Sequence, residues 1–163
     1  MPEPFIRKAR MQDVKRIHHL LMTCSTQGLL LPRSLTQLYN CLREFNVLDP
    51  GDGGEIIGCC ALSIVWEGLA EIRSLAVDEN ARRGGYGRKL VEECLDEART
   101  LGIYKIFTLT YQDAFFRKQG FVEVSKEVLP QKIWADCVNC PKFPECDEIA
   151  MLLEIQPDDS GES

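Results

Sequence analysis

The sequence predicts an α/β fold of the α+β type, with a mixed central sheet of about six to seven strands and about four helices packed on both faces. Short apolar strands separated by turn clusters favour an antiparallel meander in the first half of the chain. A periodic helix between two apolar strands favours a parallel crossover in the second half. The 163 residues, 45% of them hydrophobic, suit one domain at residues 1–155, followed by a disordered acidic tail at 156–163.

The first third of the chain predicts one strand and two helices. Residues 5–9 can form the strand, and apolar residues then recur at helical spacing over 14–24. Ser34 followed three residues later by Gln37 is a capping-box signal for the second helix. The apolar stripe of this helix comprises Leu35, Leu38, Tyr39, Leu42 and Phe45. We therefore expect the second helix to extend to residue 45.

The strands and helices predicted after residue 45 are separated by turn sequences. Residues 46–49, 55–65 and 70–77 are separated by PGDGG and EG, which predicts three antiparallel strands. An apolar stripe from Leu90 to Leu101 then predicts a helix that ends at Gly102. Residues 105–109 predict a strand parallel to 70–77, because the helix connects the two. The last predicted elements are a short helix at 114–119 and strands at 121–124 and 149–155.

The charge balance and the hydropathy pattern limit the partners. Lys and Arg number 19 against 25 Asp and Glu, and the net charge of −6 disfavours wide binding to nucleic acid. The sequence has no signal-peptide pattern and no run of about 18 apolar residues, the length that spans a bilayer. We therefore expect a cytoplasmic protein that acts on a small molecule, with no nucleic-acid or membrane partner and with a homodimer as an open possibility.

The segment RRGGYGRK, residues 82–89, lies between a predicted strand and a predicted helix. A helix start presents unpaired N–H groups and a positive dipole end, and glycines let the backbone approach an anion closely. The segment does not fit G-x-G-x-x-G, because Leu90 stands where the third glycine is needed. It fits R-x-x-G-x-G, filled by Arg82, Gly85 and Gly87. The alternative interpretation is a tight connection that binds no ligand.

R-x-x-G-x-G at this position resembles the acyl-CoA pyrophosphate signature of the GNAT superfamily of N-acetyltransferases, and the order of elements over 5–155 is similar to the GNAT fold. The resemblance implies acetyl-CoA as the acetyl donor. It also implies that the backbone of the strand before the turn hydrogen-bonds the pantetheine arm. The cofactor-binding residues expected on this basis are Leu75, Ala76, Val77, Arg82, Arg83, Gly84, Gly85, Tyr86, Gly87, Arg88 and Phe116.

Three further segments narrow the resemblance. QGLLLPRS, GLAEIRSLAV and FTLTYQDAFFRKQGF resemble the acetyltransferase domain of N-acetylglutamate synthase, particularly its short stand-alone bacterial form. This implies transfer of an acetyl group to the α-amino group of L-glutamate, a step of arginine biosynthesis. The amino-acid-kinase domain of longer synthases is not part of the resemblance. The alternatives are an acetyltransferase for another small amine or amino acid, and a non-catalytic acyl-CoA sensor.

An attacking amine must lose a proton, so a carboxylate within reach is the minimal catalytic group. Glu71 matches the family's general base, and the alternative is that it only pairs with Arg73 or caps a strand end. Strand alternation puts Glu71, Arg73, Leu75 and Val77 on one side and Ile72, Ser74 and Ala76 on the other, unless a bulge resets the phase.

The general acid is less clearly marked in the sequence. Many GNAT enzymes place a tyrosine four residues before the Gly-Phe pair that Gly120 and Phe121 match, but Phe116 stands there, as in the glutamate-acetylating family. Ser74 lies where longer synthases can carry a cysteine, and its hydroxyl could assist proton transfer. Otherwise Ser74 is a small residue in a packed strand, and Tyr111 is a second candidate acid.

Two arginines are candidates for binding the amino acid. Glutamate carries two carboxylates, and planar guanidinium groups bind carboxylates with fixed geometry. Arg33 matches a substrate-binding position of the family, and Arg73 lies beside the proposed base. The alternative for Arg33 is an exposed arginine at a helix start.

The chain has eight cysteines, of which five lie in apolar-periodic segments and are interpreted as core thiols: Cys24, Cys41, Cys59, Cys60 and Cys94. Cys137, Cys140 and Cys146 form C-x2-C-x5-C, which supplies three thiols where a closed zinc site needs four ligands. We predict reduced, loop-forming cysteines and no bound metal, with zinc at these three residues as the alternative.

Overall fold

The computed structural model describes residues 3–29, 33–129 and 148–157, so Cys137, Cys140 and Cys146 and the tail from residue 158 lie outside the described residues. The described strands are β1 (Phe5–Lys8), β2 (Phe45–Asp49), β3 (Gly58–Trp66), β4 (Leu69–Val77), β5 (Lys105–Thr110), β6 (Val122–Glu123) and β7 (Ile149–Glu154). The described α-helices are α1 (Val14–Thr26), α2 (Leu35–Asn40), α3 (Tyr86–Leu101) and α4 (Asp113–Lys118).

The strands form one sheet in the order β1-β2-β3-β4-β5-β7-β6. Pairing is antiparallel from β1 to β4, parallel between β4 and β5, and antiparallel where β7 joins β5 and β6. The predicted meander and the predicted crossover through α3 are therefore confirmed. Gly102 ends α3 in the left-handed conformation, with φ 82°, as the sequence predicts.

Helices cover both faces of the sheet. On one face, Leu90 and Val91 of α3 and Phe116 of α4 pack with Ile72 and Ile106 of the central strands. On the other face, the buried side chains come from α1, α2, β2, β3 and β4: Val14, Ile17, Leu20, Leu21, Cys24, Leu38, Phe45, Val47, Cys59, Ala61 and Ala76. This arrangement confirms the predicted mixed sheet between two helical layers.

The second helix is shorter than predicted. Its capping box is present, since Gln37 N donates to Ser34 Oγ at 3.1 Å and Ser34 N donates to Gln37 Oε1 at 2.8 Å. However, α2 ends at Asn40, a 3₁₀ turn follows at Leu42–Glu44, and Phe45 begins β2. Phe45 is fully buried and pairs with Ala61 of β3. The predicted end of this helix at residue 45 is therefore wrong. Phe45 has helical spacing from Leu42 and Leu38, but it is buried because it pairs in the sheet.

A β-bulge in β4 changes the side-chain alternation. Arg73 pairs with Ala61 and Ala76 pairs with Cys59, so β4 uses three steps where β3 uses two. Ser74 lies in this interval with φ 58°, the left-handed region that non-glycine residues rarely adopt. Simple alternation, which put Leu75 and Val77 on the side of Glu71, is therefore wrong beyond Arg73. Leu75 and Val77 instead pack with Ile72 against the α3 side.

Candidate active site

The parallel strands β4 and β5 pair over only part of their length. The paired residues are Leu69–Glu71 and Lys105–Phe107, and Thr108 Oγ1 donates to Ile72 O at 2.8 Å just beyond them. From Arg73 onward, the described pairing of β4 is with β3 alone. On the β5 side, the backbone edge at 75–77 is therefore available to an extended ligand, which would bind as an added strand. The exception is Val77 O, which accepts a hydrogen bond from Arg82 Nε at 3.0 Å. Leu75, Ala76 and Val77, the predicted pantetheine-binding residues, occupy this segment.

The predicted phosphate turn begins immediately after β4. Residues Glu79–Gly84 form a 3₁₀ segment, Gly85 adopts φ 75°, and α3 starts at Tyr86. The first backbone bond of the helix runs from Lys89 N to Gly85 O at 3.2 Å, so the N–H groups of Tyr86, Gly87 and Arg88 precede the helical ladder. Gly85, the residue before the helix, has no side chain that could cap these N–H groups. A Cβ added at Gly85 would have no heavy atom of the described residues within 4 Å.

The other glycines of the turn make room for aromatic rings. A Cβ at Gly84 would lie 2.5 Å from Cε2 of Tyr86, so a side chain here would displace the ring. A Cβ at Gly87 would lie 3.4 Å from the ring of Phe115. Lys89 Nζ lies 5.5 Å from the centroid of the Tyr86 ring, which is within cation–π range. Gly84 and Gly87 thus shape the turn, while Gly85 leaves the space above it open.

Arg82 and Arg88 of the turn lie in different environments. Arg82 Nε donates to Val77 O at 3.0 Å, and its Nη2 donates to Cys24 Sγ at 3.4 Å, which ties the turn to β4 and to α1. Arg88 pairs with Glu92 one helical turn away at 2.8 Å, and both side chains are exposed. Arg83 follows Arg82 in the same 3₁₀ segment. The turn therefore combines unpaired helix N–H groups with nearby positive charge, as an anion site requires.

Glu71 and Arg73 lie in contact on the face opposite α3. Glu71 is 9% exposed, and its Oε1 lies 3.5 Å from Nη1 of Arg73. The other end of the Arg73 guanidinium lies 3.7 Å from Oε1 of Glu44, at the end of the 3₁₀ turn before β2. Ser63 Oγ donates to Oε2 of Glu44 at 3.0 Å. The ion pair of the alternative interpretation is thus present, and it places a cation against the carboxylate proposed as the base.

Arg33 approaches the same cluster from the loop before α2. Its Nη1 donates to Ser74 Oγ at 3.3 Å, and the side chain is partly buried rather than exposed as the alternative interpretation expected. Burial, followed by the positive charge of Arg73, lowers the pKa of Arg33. Among residues 3–29, 33–129 and 148–157, no carboxylate forms an ion pair with Arg33. A partly buried guanidinium without a counter-ion favours a site that takes up an anion.

Ser74 and Phe116 were predicted as site residues, and they occupy different environments. Ser74 is half-buried at the bulge, where its hydroxyl accepts a hydrogen bond from Arg33 and its carbonyl accepts one from Cys59 Sγ at 3.5 Å. Phe116 is 3% exposed and packs edge-to-face on Phe115 and Phe121, with ring centroids 5.1 and 5.2 Å away. Ser74 therefore adjoins the cluster of Glu71, Arg73 and Arg33, whereas the Phe116 ring belongs to the core on the α3 side.

Glu44 and Ser63 are site residues that the sequence did not reveal. Glu44 falls within the segment predicted as helix, where it has no evident partner. Ser63 is directly opposite Glu71 in the register of β3 and β4, so a correct register would have indicated it. With Glu71, Arg73, Arg33 and Ser74, they make a cluster of two carboxylates, two guanidinium groups and two hydroxyls around the bulge of β4.

Comparison with known proteins identifies the class to which this fold and site belong. The model of the Acetyltransferase (GNAT) family matches residues 14–121, and the chain therefore belongs to that family. It is an acetyl-CoA-dependent N-acetyltransferase. The resemblance to the GNAT superfamily and to the acetyltransferase domain of N-acetylglutamate synthase is confirmed.

Individual relatives narrow this assignment. An uncharacterized N-acetyltransferase of Chlorobaculum tepidum is 43% identical over 150 residues, which are 92% of this chain and 96% of that protein. An amino-acid acetyltransferase of Mycobacterium tuberculosis is 38% identical over 122 residues, 74% of this chain and 70% of that protein. The structure of N-acetylglutamate synthase from Neisseria gonorrhoeae, complexed with coenzyme A and N-acetyl-glutamate, has a TM-score of 0.84 and 30% identity. The match covers 96% of this chain and 36% of that one, so this chain spans only part of that synthase.

Two further findings concern metal and membrane. Within the described part of the chain, no group of three or more His, Cys, Asp and Glu side chains is arranged to hold a metal ion. The same residues contain no helix with the length and apolar character needed to cross a bilayer.

Proposed function

We propose that this protein transfers the acetyl group of acetyl-CoA to the α-amino group of L-glutamate, as an N-acetylglutamate synthase of arginine biosynthesis in the cytoplasm. The observation that carries the proposal is the Arg33 guanidinium, which is partly buried against Ser74 and interacts electrostatically with Glu71, and which has no carboxylate partner among the described residues. A carboxylate of glutamate would supply the missing counter-ion, and its amino group would then lie near the proposed base.

Acetyl-CoA fits the turn and the open edge of β4. Acetyl-CoA supplies an acyl thioester, which an amine can attack. The N–H groups of Tyr86, Gly87 and Arg88 would bind its diphosphate, with Gly85 leaving the space above them free. Arg82, Arg83 and Gly84 complete the turn, and the backbone of 75–77 would bind the pantetheine arm. The Phe116 ring would contribute only through the core that it shares with Phe115, which borders Gly87.

The acid–base cluster would prepare the amine for attack. Glu71 would accept a proton from the α-ammonium group, directly or through one water, and so expose the nitrogen lone pair. Arg33 would hold a substrate carboxylate, and Arg73 would add positive charge beside it. The nitrogen would form the new C–N bond as the C–S bond of the thioester breaks. The Ser74 hydroxyl, which accepts a hydrogen bond from Arg33, would pass a proton to the leaving sulfur and regain one from water, because the position of the common tyrosine acid is occupied by Phe116.

The names of the relatives support L-glutamate as the acceptor. The mycobacterial relative is named an amino-acid acetyltransferase, and the neisserial structure holds coenzyme A with N-acetyl-glutamate. The Chlorobaculum relative, whose name gives no acceptor, leaves room for another small amine or amino acid. We further propose that residues 1–155 form the catalytic domain, that no nucleic acid or membrane takes part, and that any self-association is a homodimer.

The test is a thiol-release assay with acetyl-CoA and a panel of acceptors. L-Glutamate should give the highest kcat/KM of the panel, and Arg33→Ala should raise the KM for glutamate at least tenfold, about 1.4 kcal/mol, while the KM for acetyl-CoA stays within twofold. Arg99→Ala is the matched control, since Arg99 is also partly buried but pairs with Asp96 in the last turn of α3, at the end of the helix opposite the phosphate turn. A higher kcat/KM with another amine, or equal losses for both substrates, would refute the assignment. Turnover with any amine excludes the non-catalytic sensor.

A further inference from the structure

We propose that Glu44 is a positioning residue, which holds the Arg73 guanidinium in place against Glu71. Nothing in the sequence signature of the family marked Glu44, and it touches neither the turn nor the open edge of β4. The inference rests on the proposed function in one respect, the role of Glu71 as the base.

The geometry places Arg73 between two carboxylates. Nη2 of Arg73 lies 3.7 Å from Oε1 of Glu44, and Nη1 lies 3.5 Å from Oε1 of Glu71. Because the two contacts use different ends of one rigid, planar group, they restrict both its position and its rotation. An arginine that contacted Glu71 alone would keep several rotamers of its long side chain.

Glu44 is itself held from the neighbouring strand. Ser63 Oγ donates to Oε2 of Glu44 at 3.0 Å, and Ser63 faces Glu71 across the strand pair. The second oxygen, Oε1, is buried and makes no hydrogen bond within the described residues. A buried carboxylate oxygen without a hydrogen bond needs a nearby positive charge to stabilise it. The Arg73 guanidinium provides this charge at 3.7 Å.

The charge of Glu44 also determines which arginine can attract a substrate. Arg73 has a carboxylate at each end, so much of its charge is compensated inside the protein. Arg33 has no such partner among the described side chains and keeps its charge for a ligand. Without Glu44, Arg73 would be freer to turn toward a substrate carboxylate and would leave Glu71 less firmly placed.

The test is the variant Glu44→Gln, alone and in an Arg73→Ala background, with the best acceptor found for the enzyme. Alone, it should lower kcat about tenfold or more, because a misplaced catalytic group costs up to about a hundredfold, while the KM for acetyl-CoA stays within twofold. In the Arg73→Ala background it should change kcat by less than twofold. Equal effects in both backgrounds, or an unchanged kcat in the single variant, would overturn the proposal.

One control variant separates this role from a structural one, and the choice of acceptor separates it from the proposed function. Glu55→Gln removes a carboxylate at a similar distance from an arginine, 3.6 Å from Nε of Arg16, at an exposed site, and it should leave kcat unchanged. Since the assay uses whichever amine is turned over, a failure of glutamate as acceptor would refute the proposed function without affecting this test.

A second measurement does not depend on turnover. In ¹⁵N NMR spectra of the arginine side chains, the Arg73 guanidinium should show restricted rotation in the wild-type protein and free rotation in Glu44→Gln. The signals are assigned by their loss in Arg73→Lys. The same rotation rate in both proteins would show that Glu44 does not hold Arg73.

Discussion

Gly85 and Gly102 provide a matched pair for testing the phosphate turn, because they lie at opposite ends of α3. Both are left-handed, with φ 75° and 82°, and neither Cβ position has a described heavy atom within 4 Å. An alanine at either site therefore meets no steric obstacle. Its cost is the left-handed backbone, about 1–2 kcal/mol, reduced by about 0.4–1 kcal/mol from the stiffer unfolded chain. Each variant should lose roughly 1 kcal/mol, a fall in Tm of about 2–4 °C.

The two variants should differ in ligand binding although they match in stability. Gly85 directly precedes the first N–H groups of α3, so a methyl group there is expected to hinder an anion that binds them, whereas Gly102 lies at the other end of the helix. We expect the Kd for coenzyme A, measured by calorimetry, to rise about tenfold in Gly85→Ala, which is about 1.4 kcal/mol, and to stay unchanged in Gly102→Ala. Gly85→Trp should abolish detectable binding. Equal, wild-type affinity in all three variants would refute the assignment of the turn.

Two further predictions concern single carboxylates. Glu71→Gln should lower kcat at least about a hundredfold, the usual contribution of a general base, with a near-normal KM for acetyl-CoA, and full activity at every pH would exclude the role. Asp13→Asn should lower the free energy of unfolding by about 3 kcal/mol at pH 7, because it breaks a buried bidentate pair with Arg7 at 2.8 and 3.1 Å. Burial alone would raise the pKa of Asp13, but hydrogen bonds from Arg7 and the Arg10 N–H hold it below 3.8. Folding therefore stabilises the ionised form of Asp13. The difference in free energy of unfolding between Asp13→Asn and the wild type, measured by urea unfolding, should be complete above about pH 4. It should shrink as the pH falls through the lowered pKa of Asp13. A difference that is constant from pH 7 to pH 2 would contradict this account.

The order of elements could be predicted from the sequence because each strand and helix has its own local pattern. The stripe from Leu90 to Leu101 and the closing Gly102 define α3 without reference to the rest of the chain. The end of α2 could not be predicted in this way. The apolar spacing from Leu35 to Phe45 is helical, but the pairing of Phe45 with Ala61 buries the ring in the sheet. A contact between distant segments overrode the local periodicity.

The two parts of the site also differ in how far they could be predicted from local sequence. Gly85 and its neighbours form one short segment, so the turn could be recognised from sequence, and the structure presents it at the start of α3. The cluster around Glu71 is assembled from four separate segments, which carry Arg33, Glu44, Ser63 and Arg73. Arg33 was named only through a family resemblance. Glu44 and Ser63 depend on the register between strands, which a single sequence does not specify.

The bulge at Ser74 explains why both halves of the site meet in one strand. A regular β4 would keep Leu75 and Val77 on the face of Glu71, and its backbone could continue to pair with β5. The extra residue instead shifts Leu75 and Val77 to the α3 side. The described pairing with β5 ends at Glu71, shortly before the bulge. Ser74 directs its hydroxyl to Arg33. A left-handed serine costs of order 1–3 kcal/mol, and such strain persists at positions where function depends on the geometry. The strain at Ser74 therefore lies where the strand edge that is open on the β5 side meets the side chains of Glu71 and Arg33.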